Sequence, residues 1–236
     1  MSEVFTDPKY IKLLYKSFYD LHNILLNHDV SYIASGGTLL GAIRHGGIIP
    51  WDDDVDLEIS HRDVDIILSD EFKKECKRAG YVVKLHSESK NKMDWIKINS
   101  VKKVGGKISS IDLFPVYVDE DAKGKYRTYF ESDYTDDVWP NVYHYIEDIY
   151  PLQQVKFGKG VIFIPNRPKP YLNRGYGKSW KTKGLITMDA DHMMLDEPIR
   201  VSVKDFTPAK EYADAKYQIR LDKKDPILTG KGGVFI

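Results

Sequence analysis

One cysteine, Cys76, stands among the 236 residues. A lone thiol closes no disulfide and builds no cysteine zinc site, so the fold has to be held by an apolar core. No Cys–His pattern surrounds Cys76, which favours a half-buried helix residue over a nucleophile. An excess of either charge is also missing, since 35 Lys and Arg meet 35 Asp and Glu. That balance argues against general nucleic-acid binding, which needs a strongly basic surface. No stretch approaches the ~18 apolar residues of a membrane span. The opening MSEVFTDPKYIK lacks the basic segment and apolar run of a secretory leader. These absences lead to the expectation of a cytoplasmic protein with no membrane span. There is no internal repeat and no low-complexity tract.

What is present suits one large domain, with 42% apolar and 30% charged residues. Asp7-Pro8 reads as a helix start, and Ile11, Leu14, Phe18, Leu21 and Leu25 recur at three and four, predicting a helix over 7–28. A catalytic core is expected over 30–180 within a domain spanning 1–206. In it, VSYIAS (30–35) reads as a strand, TLLGAIRH (38–45) as a short helix, and 62–78 as a helix closed by Gly80. Further strands are expected at 81–86, 94–101 and 109–118, a hairpin at 155–165 and a short helix at 169–177. The interval 119–150 has weak periodicity and receives no assignment. A C-terminal helix and tail are expected over 207–236. Strands interleaved with helices predict an α+β fold with a mixed sheet flanked by helices.

The chemistry concentrates in SGGTLLGAIRHGGIIPWDDDVDLEIS (35–60), with five glycines and four aspartates. DVDLEIS alternates strictly, so Asp54, Asp56 and Glu58 share one face of a strand, opposite Val55, Leu57 and Ile59. Two carboxylates at that spacing suit a hard divalent cation such as Mg²⁺. Asp112, a lone acid between Ile111 and Leu113, is the candidate third ligand, because a buried unpaired carboxylate is costly and a metal would resolve the cost. Gly36-Gly37 between strand and helix lets a ligand approach the backbone, and the helix start offers N–H groups to a phosphate, with the Thr38 hydroxyl beside them. Asp52 and Asp53 read as caps or hydrated acids, with Asp52 also suited to supporting a ligand from behind.

GGTLLGAIRHGGIIPWDDDVDLEI resembles the signature of the LicD family, whose relatives include fukutin and fukutin-related protein. IDLFPV (111–116) and IPNRPKPYLNRGYGKSW (164–180) are similar to two further family segments. The resemblance implies a nucleotidyltransferase-type fold. It also implies transfer of a substituted phosphate, such as phosphocholine or ribitol phosphate, from a CDP-linked donor to a glycan or sugar hydroxyl. Asp54 and Asp56 match the family's metal pair, Asp112 its later acid, and Gly36, Gly37 and Thr38 its phosphate-facing turn. Compared with the animal members, the chain resembles the compact microbial form.

On this reading Mg²⁺, or Mn²⁺ in its place, sits on Asp54 and Asp56, and Asp112 serves as base or as ligand to a second ion. Arg44 and His45 suit either donor phosphate or a helix C-terminus. Lys97, between Ile96 and Ile98, faces either the same cleft or a solvated edge. Tyr171, Tyr176 and Trp180 suit an aromatic cage for a choline-like cation or, more simply, core packing; Tyr176 is retained as a candidate binding residue. Two alternatives stay open: a nucleotidyltransferase that moves NMP from an NTP with release of pyrophosphate, and a non-catalytic nucleotide-binding module.

Overall fold

A computed structural model describes residues 5–88, 94–188 and 194–202. The expected C-terminal helix and tail at 207–236 lie outside the described residues. Helix α1 (Pro8–Asn27) starts where the sequence places it, with the Asp7 carboxylate accepting from the Lys9 amide at 2.7 Å and proline in the first turn. Its apolar stripe, including Leu14, Phe18, Leu21 and Leu25, is fully buried. Strand β1 (Tyr32–Ala34) leads into α2 (Gly36–Arg44), which begins two residues earlier than expected, so both glycines belong to its first turn. Strand β2 (Asp54–Ser60) follows with the expected bounds.

The expected helix over 62–78 is two helices, α3 (Val64–Leu68) and α4 (Asp70–Ala79), preceded by one 3-10 turn at His61–Asp63. Ser69 causes the break. Its backbone is extended, and its hydroxyl accepts from the Phe72 amide at 3.2 Å, making it the cap of the second helix. Gly80 closes α4 in the left-handed conformation, at φ 92°. Cys76 is buried on α4 and its thiol is pushed up to about 12 by that burial, which makes it inert packing.

The sheet continues with β3 (Tyr81–His86), β4 (Trp95–Val104), β5 (Lys107–Glu120) and β6 (Tyr126–Phe130). The order is β1-β2-β5-β4-β3, with β6 also paired to β5. Strands β2 and β5 run parallel and the other neighbours antiparallel, so the central sheet is mixed, as expected. The unassigned interval 119–150 supplies β6 and two short helices, α5 (Asp133–Val138) and α6 (Ile146–Ile149). A hairpin, β7 (Gln153–Phe157) and β8 (Gly160–Ile164), precedes α7 (Pro168–Tyr176). A second hairpin, β9 (Lys183–Met188) with β10 (Met194–Ser202), is absent from the sequence-based expectation. Among the described residues no helix is long and apolar enough to cross a membrane.

Helix α1 packs on the sheet and holds the loop that precedes β2. The Tyr10 hydroxyl donates to the carbonyls of Asp53 at 2.8 Å and Ile108 at 3.0 Å. The Thr6 hydroxyl donates to the Asp52 carbonyl at 2.9 Å, and the Ile48 amide donates to the Tyr15 hydroxyl at 2.8 Å. His22, on the same helix, lies in the core against Phe18 and Phe163 with Nδ1 2.7 Å from the Tyr32 hydroxyl.

Burial lowers the His22 imidazole to about 4. The folded state therefore prefers the neutral ring, and the unfolded chain takes up the proton first as pH falls below about 6.5. His22 should thus contribute stability at neutral pH that is lost between about pH 6.5 and pH 4, roughly 3 kcal/mol in all. His22→Gln, which does not titrate, should flatten the pH dependence of urea-unfolding stability over that window. An unchanged slope would exclude His22 as its source.

Candidate active site

The acids come together through register. Asp56 on β2 pairs with Asp112 on β5, and Asp112 pairs with Lys97 on β4, so the three side chains form one row across the sheet. Asp54, two residues before Asp56, shares that face. Lys97 is therefore neither remote nor on a solvated edge: its Nζ lies 3.1 Å from Asp112 Oδ2. The Ser110 hydroxyl donates to Asp112 Oδ1 at 2.6 Å. Asp112 is buried, as expected for an acid in an apolar run, but a lysine rather than bare apolar surface surrounds it.

The start of α2 lies against these carboxylates. A Cβ placed on Gly36 would come within 2.9 Å of Asp56 Oδ2, and one on Gly37 within 2.7 Å of Asp52 Oδ2. Only glycine leaves both carboxylates room, and Gly36 is also left-handed, at φ 50°. The Gly36 amide donates to the Tyr171 hydroxyl at 2.8 Å. Helix geometry leaves the amides of Gly37 and Thr38 as the remaining first-turn donors without an intrahelical acceptor. Thr38 Oγ1 accepts from the Asp56 amide at 2.9 Å, which ties α2 to the start of β2.

Crowding shows in the proton affinities. Asp56 is held well above the ordinary carboxylate range by enclosure of its carboxyl group, then by Asp54, Asp112 and Asp52, with Lys97 opposing. Asp52 is raised in the same way by enclosure and by Asp54 and Asp53, with Arg44 opposing. A cation would relieve both. Among the described residues, Asp52, Asp53 and Asp54 each bring a carboxylate oxygen within 4.8 Å of the others. Such an all-oxygen set fits Mg²⁺ or Mn²⁺. Asp54 belongs both to this triplet and to the strand pair with Asp56.

Beside the acids opens a cleft of about 490 Å³, whose lining includes Gly37, Arg44, Asp52, Asp53, Tyr176 and Trp180. The β9–β10 hairpin forms another wall, contributing Lys183, Gly184 and Arg200. Arg44 donates to the carbonyls of Trp180 at 3.1 Å and Lys183 at 3.4 Å, and its guanidinium lies 6.0 Å from the Trp51 ring. It thus joins the cleft walls from the last turn of α2. His45 is buried edge-on to Trp51, and burial, then the Arg44 charge, lowers it to about 4. Tyr176 lines the cleft together with Asp52 and Asp53, and its phenol is raised by enclosure, then by the charges of Asp52 and Asp56. Tyr171 and Trp180 are buried, so the three aromatics do not form an open cage.

Sequence periodicity puts Glu58 on the face of Asp54 and Asp56, yet it is fully buried. Its Oε1 accepts from the Ser35 hydroxyl at 2.7 Å, and Ser35 Oγ lies 3.0 Å from the Tyr171 hydroxyl. His144 stacks on Tyr171 at 4.2 Å and 8°. Sequence reasoning misses Ser35, Glu58 and His144 as site neighbours. A signal exists for Glu58, an acid inside an otherwise apolar strand end, but none for His144 or Arg200.

A mixed sheet that presents paired aspartates beside a glycine-started helix defines a nucleotidyltransferase-type domain. Residues 29–167, more than half of the chain, match the family model described as LicD/FKTN/FKRP, nucleotidyltransferase domain, and the chain belongs to that family. It is 32% identical over 173 residues to an uncharacterized protein of Rickettsia prowazekii, RP689, covering 73% of this chain and 57% of that one. It is 55% identical over 42 residues to the Haemophilus influenzae lipopolysaccharide cholinephosphotransferase LicD, covering 18% of this chain and 16% of the other. To human ribitol 5-phosphate transferase FKRP it is 45% identical over 62 residues, covering 26% and 12%. The chain spans about half the length of the first two curated relatives it matches.

If the Asp52 carboxylate is what demands glycine at 37, the two positions are coupled. Gly37→Ala should lower the thermal midpoint in the wild-type background and cost far less in an Asp52→Ala background, in a double-mutant cycle. Equal costs in the two backgrounds would show that another neighbour sets the constraint.

Proposed function

We propose that the chain is a divalent-metal-dependent phosphotransferase. It moves a substituted phosphate, phosphocholine or ribitol phosphate or a similar group, from a CDP-linked donor to a sugar hydroxyl and releases CMP. The observation that carries this reading is the acid cluster packed against the Gly36-Gly37 helix start at the mouth of a cleft that also holds Arg44. Membership of the family supports it, as do short matches to a cholinephosphotransferase and a ribitol 5-phosphate transferase.

Asp54 and Asp56, with Asp52 and Asp53 on the cleft side, would hold the ion. A bound Mg²⁺ or Mn²⁺ would supply charge neutralisation for the donor pyrophosphate and the departing CMP. The Gly37 and Thr38 amides and the Arg44 guanidinium would orient the phosphates. Tyr176, at the cleft beside the acids, would border the donor. Asp112, the register partner of Asp56 on the neighbouring strand, would face the acceptor. The acceptor oxygen forms a bond to the phosphorus that carries the head group, the bond from that phosphorus to the CMP oxygen breaks, and CMP leaves with the electron pair. The hydroxyl proton passes to Asp112 as base.

Purified protein with Mg²⁺, a sugar acceptor and a panel of CDP-linked donors should release CMP with at least one donor. Asp54→Asn should lower the rate by roughly 100-fold or more without lowering the melting temperature, because it removes an anionic ligand, keeps the shape and relieves repulsion among the acids. EDTA should stop the wild-type reaction and Mn²⁺ should restore it. Pyrophosphate release from a nucleoside triphosphate in place of CMP release, or a fully active Asp54→Asn, would overturn the reading.

A further inference from the structure

The start of α2 holds both backbone groups of Asp56. The Asp56 carbonyl accepts from the Ser35 amide at 3.0 Å, and its amide donates to Thr38 Oγ1 at 2.9 Å. Between these anchors lies Gly36, whose left-handed backbone, at φ 50°, runs so close to Asp56 Oδ2 that an added Cβ would come within 2.9 Å of it. The conformation of residues 35–38 therefore sets where the Asp56 carboxylate can stand. A buried run of hydrogen bonds holds that conformation in turn. An amide can only donate, so the Tyr171 hydroxyl oxygen accepts from Gly36 at 2.8 Å. The Tyr171 proton then serves Ser35 Oγ at 3.0 Å, and the Ser35 hydroxyl donates to Glu58 Oε1 at 2.7 Å. Each hydroxyl carries one proton, so the run is directed from Gly36 to Glu58. Ser35, Glu58 and Tyr171 are all buried, and the Tyr171 ring is clamped by its stacking on His144. Glu58 stands two residues from Asp56 on β2, so the run closes on the strand that carries the acid pair.

We infer that Tyr171, Ser35 and Glu58 are positioning residues, whose one-way hydrogen-bond run holds the Gly36 turn against Asp56 and so sets that carboxylate for the ion. This rests on the metal-dependent reading above and deepens it. The three act through Gly36 and Asp56, not by ligating the ion. A buried group that loses its partner either stays unsatisfied, at a cost, or moves to find another. Removing the Tyr171 hydroxyl or the Glu58 acceptor therefore shifts the turn, and with it the backbone beside Asp56 Oδ2. Such a run works as a unit, so a break at either end has the same consequence.

The test titrates Mn²⁺ alone into the full chain, reading loss of the free-ion signal by electron paramagnetic resonance, with the thermal midpoint measured without metal. Tyr171→Phe, which keeps the stacked ring and removes the acceptor, should weaken Mn²⁺ binding by about ten-fold. Glu58→Leu, which leaves the Ser35 hydroxyl without its acceptor, should do the same, whereas Glu58→Gln, which keeps an acceptor oxygen, should stay within about three-fold of wild type. The double variant Tyr171→Phe/Glu58→Leu should bind no more weakly than either single one, because a run already broken loses nothing further. A merely structural role would lower the thermal midpoint and leave the Mn²⁺ Kd in place. Tyr171→Phe within about three-fold of wild type, Glu58→Gln as weak as Glu58→Leu, or a double variant weakened about 100-fold would each overturn the inference while leaving the metal-dependent reading intact. No Mn²⁺ on the wild-type chain would remove that reading and this inference together. Tyr171→Phe alone decides the matter if Glu58→Leu does not fold.

Discussion

The molecule is organised around a repulsion. Asp52, Asp53, Asp54 and Asp56 fall within five consecutive positions, with Asp112 brought beside them by strand register. Such a group cannot hold itself together, so its backbone is held by others. Helix α1 does so through the hydroxyls of Thr6 and Tyr10, on the Asp52 and Asp53 carbonyls, and through Tyr15 on the Ile48 amide. Helix α2 does so through Thr38, on the Asp56 amide. Each such bond contributes about 0.5–1.5 kcal/mol, and each would leave a polar group unsatisfied if removed. The N-terminal helix is thus part of the rigidity of the site as well as of the core.

A second consequence concerns where charge is allowed. Along β2, Asp54 and Asp56 are half-buried, and Glu58 is fully enclosed. Burial pushes the Glu58 carboxyl up to about 8 and His144 down to about 3. Both shifts favour neutral forms, so their 3.7 Å approach is a contact between neutral groups near pH 7 rather than an ion pair. Tyr171 bridges this neutral interior to the site: its ring stacks on His144 and its hydroxyl accepts from the Gly36 amide. The charged rim therefore rests on a polar but uncharged base, which avoids adding another buried anion behind four crowded ones.

Much of the site is legible in the chain of residues alone. Strict alternation sets the bounds of β2 and the shared face of Asp54 and Asp56, whereas α2 takes in the paired glycines that the sequence reading places before it. The α1 stripe is equally plain, because a long helix repeats its pattern many times. Short or irregular pieces are not. Ser69 splits one expected helix into two through a local hydrogen bond that competes with the helical ladder, which a count of apolar spacings does not register. The interval 119–150 folds into β6, α5 and α6, elements too short to show a period. The β9–β10 hairpin, a wall of the cleft, carries no turn signal that stands out from its surroundings.

By itself the sequence determined which residues share a face, because side-chain direction follows from the local periods of strand and helix. It therefore settled that Asp54 and Asp56 lie together and that Asp112 is an acid in a buried strand. Only the tertiary structure decided what stands opposite each of them: Lys97 against Asp112, Asp52 against Gly37, Asp56 against Gly36, Ser35 against Glu58. Those partners are distant in the chain or on different elements. Their meeting depends on strand order and register across the sheet, which arise from packing the whole core at once and leave no periodic trace in any single segment.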